Sequence, residues 1–249
     1  MFTVDHVPLQ LDDHLRRFYR SAKKIDIDIP MPFEELRAMV LDFCRRIDSP
    51  DAMAYVQATR GVGMRGHAYR FAGGTPSLWV WVKPDMLDPM DRSYKAITME
   101  DTRYFHCDIK TINLLPAVIY TQRAEEAGCD ETILHRGDRV TECAHSNVHI
   151  LKDGALKTAP CDNLILPGIT RAHRIAQCRE MGIPVIEEPF TVREMMEADE
   201  VFFTSASALC CRIEEIDGQK VGGRAPELIA RIQKAAWDEA LAEVRQING

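Results

Sequence analysis

The sequence predicts an α+β fold: two helices first, then a mixed sheet or pseudo-barrel. Three observations carry this. Short apolar runs in the second half pair around Arg136-Gly137-Asp138, Asp153-Gly154 and Asp217-Gly218, and Asp-Gly between alternating segments is a strong local hairpin signal. Helical patterns are interspersed among these hairpins rather than alternating strand by strand, which disfavours a parallel doubly wound sheet. The 249 residues, 46% hydrophobic and 28% charged, suit a soluble globular chain of one large or two modest domains.

Taken in order, residues 11–25 read as a helix with Asp12 or Asp13 at its cap and an apolar stripe of Leu15, Phe18, Tyr19 and Ala22. Its other face carries Arg16, Arg17, Arg20, Lys23 and Lys24, a pattern usual for a solvated surface. Residues 32–47 form a second amphipathic helix. Residues 52–59 have strand character, 60–67 are a loop rich in glycine and cation, and 77–82 (SLWVWV) form a strand whose composition predicts burial on both faces. The stretch 84–89, with two prolines and two acids, marks a linker. The expected division is a small domain over 1–84, a linker over 85–90 and a larger domain over 91–249.

The larger domain opens with a strand at 94–101. A helix follows from about 113 to 127, with Pro116 in its first turn and Gly128 as its stop. Hairpins come next at 131–142 and 148–158, then a short strand at 164–166. A helix opens at Pro167-Gly168-Ile169-Thr170-Arg171, with Thr170 as the expected cap, and ends at Gly182. After a strand at 184–188, Thr191-Val192-Arg193-Glu194 spells a capping box. A strand at 200–204 runs into Ser205-Ala206-Ser207, a hairpin spans 212–221, and a long helix at 226–244 closes the chain.

Bulk properties remove several function classes. A net charge of −7 argues against nucleic-acid binding. No apolar run approaches the roughly 20 residues of a membrane helix, and residues 1–8 lack a signal peptide's basic start and apolar core, so a cytoplasmic location is expected. None of the eight cysteines forms a Cys-x-x-Cys pair, which leaves a zinc site little support.

Four features in the second half make common sense around an aldehyde cofactor bearing a phosphate and a pyridine ring. Lys110, in His106-Cys107-Asp108-Ile109-Lys110, is a Schiff-base candidate, or a lysine that snorkels to water. Glu142 closes a strand and could keep a pyridine nitrogen protonated, or be a surface acid. Gly168-Ile169-Thr170-Arg171 offers a helix start for phosphate, or a capped helix only. Ser205-Ala206-Ser207 lets backbone and hydroxyls approach a phosphate, or is an ordinary strand end. Arg17 could add a bidentate contact.

The runs CDIKTINLL, VTECAHSNVHILKDG, LPGITR and EVFFTSAS, in this order, resemble the fold-type IV pyridoxal-phosphate aminotransferases, nearly end to end. That family comprises D-amino-acid and branched-chain aminotransferases and aminodeoxychorismate lyase. The resemblance implies a two-domain fold with a small N-terminal α/β domain and a larger C-terminal pseudo-barrel. It implies pyridoxal 5′-phosphate as cofactor, Lys110 as the Schiff-base residue and Glu142 as partner of the ring nitrogen. Ile169 and Thr170 would form the phosphate cup, with Ser205, Ala206, Ser207 and Arg17 around it, and Ser146 would join the cofactor-binding set.

Thr59-Arg60-Gly61-Val62-Gly63-Met64-Arg65-Gly66-His67 is similar to the loop with which D-amino-acid aminotransferases trap the substrate carboxylate from the other subunit of a homodimer. The implied function is transamination between a D-amino acid, such as D-alanine or D-glutamate, and a 2-oxo acid. The alternatives are a branched-chain L-specific transaminase, an aminodeoxychorismate lyase, or an inactive shortened relative. One departure stands out: family members carry an upstream hairpin and a segment of the type GDGVYE, whereas this sequence starts at Met1-Phe2-Thr3-Val4.

Overall fold

The structure, a computed structural model, describes residues 1–72 and 74–249. The chain forms two compact units: Met1–Leu87 with Ala240–Gly249, and Asp88–Glu239.

The first unit begins with a short hairpin, β1 (Thr3–Val4) and β2 (Val7–Pro8), absent from the sequence expectation. Its turn places Asp5 and His6 at φ 49° and 64°. Contacts elsewhere in the unit hold it: the His6 amide donates to the Pro50 carbonyl at 2.7 Å, and Asn248 Nδ2 donates to the Asp5 carbonyl at 3.1 Å. Helix α1 (Leu11–Lys24) starts from Gln10 in the left-handed region, not from an aspartate cap. Asp12 and Asp13 instead lie in the first turn, where they suit the helix dipole. Glu243 replaces the cap by accepting the Gln10 amide at 3.0 Å.

Helix α2 (Phe33–Arg46) packs Leu36, Val40 and Cys44 against Leu11, Leu15 and Ala54. Strands β3 (Ala52–Thr59) and β4 (Ser77–Pro84) pair antiparallel from Ala52↔Pro84 to Thr59↔Ser77. Period-two alternation turns Ala54, Val56, Leu78, Val80 and Val82 to the helices. Trp79 and Trp81 are 62% and 41% exposed, with Trp81 stacked on its cross-strand partner Tyr55. Burial on both faces of this strand is therefore corrected: a two-stranded ribbon has one face against the helices, and continuous apolar sequence does not supply a second layer.

The second unit is built on a nine-stranded sheet in the order β10-β9-β8-β11-β12-β5-β6-β7, with β13 on β12. The strands are β5 (Tyr94–Glu100), β6 (Glu131–Arg136), β7 (Arg139–Cys143), β8 (Asn147–Lys152), β9 (Ala155–Thr158), β10 (Val185–Glu187), β11 (Glu200–Thr204), β12 (Cys211–Ile216) and β13 (Gln219–Lys220). Pairs β5–β6, β5–β12 and β9–β10 are parallel and the others antiparallel, the mixed sheet of an α+β fold. Asp153 and Gly154 sit at φ 50° and 77°, and Asp217 and Gly218 at 50° and 74°. Two left-handed residues in succession match the twist of a tight hairpin.

The outer strands β10 and β7 are drawn together by the chain that follows β10. The Val140 amide donates to the Phe190 carbonyl and the Val192 amide to the Asp138 carbonyl, both at 2.9 Å. This link curls the sheet into a pseudo-barrel around Ile133, Val140, Val148, Ile150, Phe190, Val201, Phe203 and Ile213. Helices α3 (Leu115–Glu126), α4 (Ile169–Glu180) and α5 (Val192–Met196) are interspersed. The long α6 (Pro226–Asn248) runs in this unit through Glu239. The capping box is formed in full, with Glu194 N donating to Thr191 Oγ1 and Thr191 N to Glu194. No helix among the described residues is long and apolar enough to cross a membrane.

Candidate active site

The expected strand at 164–166 is not a strand but a loop. Its backbone groups are taken by side chains. Leu166 N donates to Glu142 Oε2 at 3.0 Å, the Leu166 carbonyl accepts from Asn147 Nδ2 at 3.0 Å, and the Leu164 carbonyl accepts from Arg103 at 3.1 Å. A backbone satisfied in this way needs no neighbouring strand.

At the centre lies Glu142, on β7 and buried. Asn147 Nδ2 donates to its Oε2 at 2.9 Å, beside the Leu166 amide, and Arg103 donates to Oε1. Burial pushes the Glu142 carboxyl up to about 7, against the pull of the Arg103 charge and the bonds from Arg103 and Leu166. Burial alone would pull the Arg103 guanidinium down, yet its Asp101 bonds and the Glu142 charge hold it above its ordinary value. Glu142 is thus a buried acid with a fixed orientation.

Gly168 is the N-cap of α4, correcting the expectation of Thr170. A Cβ on Gly168 would lie 2.0 Å from Asn147 Oδ1, so glycine lets the helix start approach the Glu142 cluster. The first intrahelical bond is Ala172 N to the Gly168 carbonyl, so the amides of Ile169, Thr170 and Arg171 precede the ladder. No side chain caps this end. Thr170 Oγ1, within the first turn, donates to the Ser205 carbonyl at 2.7 Å and ties the helix start to the loop after β11. There Ser205 Oγ accepts from the amides of Ser207 and Ala208 and meets Ser207 Oγ at 3.0 Å, with Ala206 inside the turn. The structure therefore links Glu142, Asn147, Gly168, Ile169, Thr170 and Ser205–Ser207 into one wall.

Lys110 is exposed in the irregular stretch before α3. Its segment lies along the same 161–166 loop: Cys107 N donates to the Asn163 carbonyl at 3.1 Å. Ser146 Oγ donates to buried Glu131 at 2.7 Å, and His145 Nδ1 lies 3.1 Å from the same carboxylate.

The smaller unit holds the remaining candidates. Arg17 is buried on α1, unlike the solvated face its neighbours suggest. Arg65 and His67 are exposed on the loop between β3 and β4. Arg60 anchors this loop, donating to the Asp26 and Ile25 carbonyls and stacking over Tyr69. His67 lines an open pocket of about 270 Å³ with Arg60, Met64 and Tyr69.

The wall fits a phosphate-bearing pyridine. It has a helix start without a side-chain cap, a glycine where a Cβ would collide, hydroxyls opposite, and a buried carboxylate for a ring nitrogen. Sequence reasoning missed Arg103 and Asn147. No local signal marked either: Asp101-Thr102-Arg103 reads as a solvated charge pair at a strand end, and Asn147, between Ser146 and Val148-His149, reads as an ordinary polar residue at a strand start.

A model of the amino-transferase class IV family matches residues 1–216. The D-alanine aminotransferase of Bacillus licheniformis is 38% identical over 236 residues, covering 94% of this chain and 83% of the relative. That of Listeria monocytogenes serovar 1/2a (EGD-e) is 41% identical over 223 residues, covering 86% and 76%. Among solved structures, a branched-chain amino acid aminotransferase of T.th. with pyridoxamine 5′-phosphate aligns with TM-score 0.86 at 21% identity, covering 97% of this chain and 84% of that one. A putative 4-amino-4-deoxychorismate lyase from Legionella pneumophila aligns with TM-score 0.83 at 21% identity, covering 94% and 88%. At such identities these two structures share the fold.

Proposed function

We propose that this chain, which belongs to the class IV aminotransferase family, catalyses amino transfer between a D-amino acid and a 2-oxo acid. The family's cofactor is pyridoxal 5′-phosphate, whose ring supplies the electron sink for the substrate's α-carbon. The observation that carries the reading is buried Glu142, fixed by Arg103, Asn147 and the Leu166 amide beside the uncapped start of α4.

The residues divide the work as follows. Lys110 is the Schiff-base residue: its Nζ would hold the cofactor's aldehyde carbon, and its free amine would take and return the substrate's α-proton. Glu142 holds the ring nitrogen. The amides of Ile169 and Thr170, with Ser205, Ala206 and Ser207, hold the phosphate, and Arg17 is its guanidinium partner. Arg65 and His67 hold the substrate carboxylate, Arg65 through a planar fork suited to it. The D-alanine aminotransferases at 38% and 41% identity support the D-amino-acid reading.

Phe105, Ile112, Leu114, Leu115 and Val118 are exposed on α3 and the stretch before it, an apolar surface that suits a second copy of the chain. We therefore assign a homodimer. Eight free thiols support a cytoplasmic location.

Two measurements test the proposal. Lys110→Ala abolishes turnover and the visible absorption of the lysine-bound cofactor; turnover surviving in that variant sinks the assignment. Assays with D- and L-alanine and D- and L-glutamate show a D preference. An L preference instead supports the branched-chain alternative, and release of pyruvate from an aminated chorismate supports the lyase.

A further inference from the structure

Arg103 is held on every side. Its Nε and one terminal nitrogen donate to the two oxygens of Asp101, both at 2.9 Å, and the other terminal nitrogen donates to Glu142 Oε1. Its own amide donates to Asp101 Oδ1 at 3.0 Å, and its carbonyl accepts from Arg136 at 2.6 Å. Asp101 is itself fixed by Thr141 Oγ1 at 3.0 Å and Arg136 Nε at 3.3 Å. The Asp101 side chain is fully buried and that of Arg103 is 12% exposed.

This arrangement decides what Glu142 can offer. A carboxylate has about four acceptor positions. Oε2 accepts from Asn147 and Leu166, and Oε1 from Arg103, which leaves one position on Oε1. We propose that Arg103 is a positioning residue that holds Glu142 as an oriented anion, with its remaining Oε1 position presented to the N–H of the cofactor's pyridine ring. The inference rests on the reading of Glu142 as the ring-nitrogen partner.

The chemistry requires such a group. A buried carboxyl without a cation becomes neutral at ordinary pH, and a neutral acid cannot pair with a protonated ring. The other titratable groups facing Glu142 cannot supply the charge. Asp101 has the wrong sign, Arg136 is committed to Asp101 and to the Arg103 carbonyl, and burial keeps the thiols of Cys107 and Cys143 protonated. Lysine is no substitute for Arg103, because one ammonium cannot form the fork to Asp101 while reaching Glu142.

The test measures pyridoxal 5′-phosphate affinity against pH for the full-length protein by absorbance and fluorescence titration. Arg103→Gln weakens binding on the order of ten- to a hundredfold, the scale of a lost charge-assisted bond. It also raises by about one pH unit or more the point below which affinity falls, because Glu142 then takes a proton more readily. Arg103→Lys falls between. In a Glu142→Gln background, Arg103→Gln produces no further shift of the pH profile. A uniform loss of affinity with an unmoved pH profile overturns the inference, as does binding equal to wild type. Where Arg103→Gln does not fold, Arg103→Lys and Asp101→Asn carry the same comparison. Wild-type protein that takes up no cofactor overturns the reading of Glu142 and this inference with it, whereas cofactor uptake indifferent to Arg103 overturns the inference alone.

Discussion

Replacing Gly168 by alanine tests the packing of the candidate wall with a single methyl group. The new Cβ would sit 2.0 Å from Asn147 Oδ1, 3.2 Å from its Cγ and 3.3 Å from Arg171 Cβ. Gly168 has φ −62°, so alanine fits the backbone, and reduced freedom of the unfolded chain returns about 0.4–1 kcal/mol. A poorer N-cap costs a comparable amount. The collision decides the outcome. Asn147 must leave its place and lose its bond to the Glu142 carboxylate at 2.9 Å and to the Leu166 carbonyl at 3.0 Å. A bond to a charged group contributes about 1.5–3 kcal/mol and a neutral one about 0.5–1.5. A loss of about 2–4 kcal/mol follows. Urea unfolding measures it as a lower midpoint at unchanged slope. The double variant Asn147→Ala/Gly168→Ala removes the collision and should be no less stable than Asn147→Ala alone. A Gly168→Ala loss below about 0.5 kcal/mol, or costs that simply add in the double variant, would refute the reasoning.

Three further outcomes follow from other parts of the larger unit. Thr191→Ala removes half of the capping box of α5 and costs about 1 kcal/mol in urea unfolding, while Thr191→Ser keeps most of it. Phe202, fully buried on β11 and stacked on His149 with ring centroids 4.8 Å apart, costs about 3–5 kcal/mol on truncation to alanine and less to leucine. His145 is raised above an ordinary histidine by its bond to Glu131. Its stabilising contribution is therefore present in full below about pH 6.5 and fades as pH rises through the raised value. The side chain is 58% exposed, so solvent screens the pair and the effect is small. The stability gap between wild type and His145→Ala should close as pH rises above about 6.5; a gap that widens contradicts the assignment.

Local signals carried most of the architecture. The Thr191–Glu194 box and the Asp-Gly turns were legible because their chemistry lies within four residues and needs no tertiary partner. The α+β class followed from the hairpins. Three features were illegible for definite reasons. Leu164–Leu166 has strand composition, but its backbone partners are Arg103, Glu142 and Asn147, distant in sequence. Thr170 has the residue type of a cap, yet its hydroxyl serves Ser205 and the helix begins at a glycine that permits close approach. Trp79 and Trp81 look buried by composition, but burial depends on how many layers cover a ribbon. At the candidate site, residues within recognisable runs could be named from sequence. Arg103 could not, because nothing local distinguishes a buried guanidinium from a solvated one.

The loop at 161–166 has a consequence for observing the site. The Leu166 amide donates to the same Glu142 oxygen that Asn147 holds. Its chemical shift and its rate of exchange with solvent deuterium therefore depend on whether that oxygen carries charge. One backbone resonance, from a residue with no chemical role, becomes a built-in gauge of the buried acid, readable without substrate and without labelling the carboxyl itself.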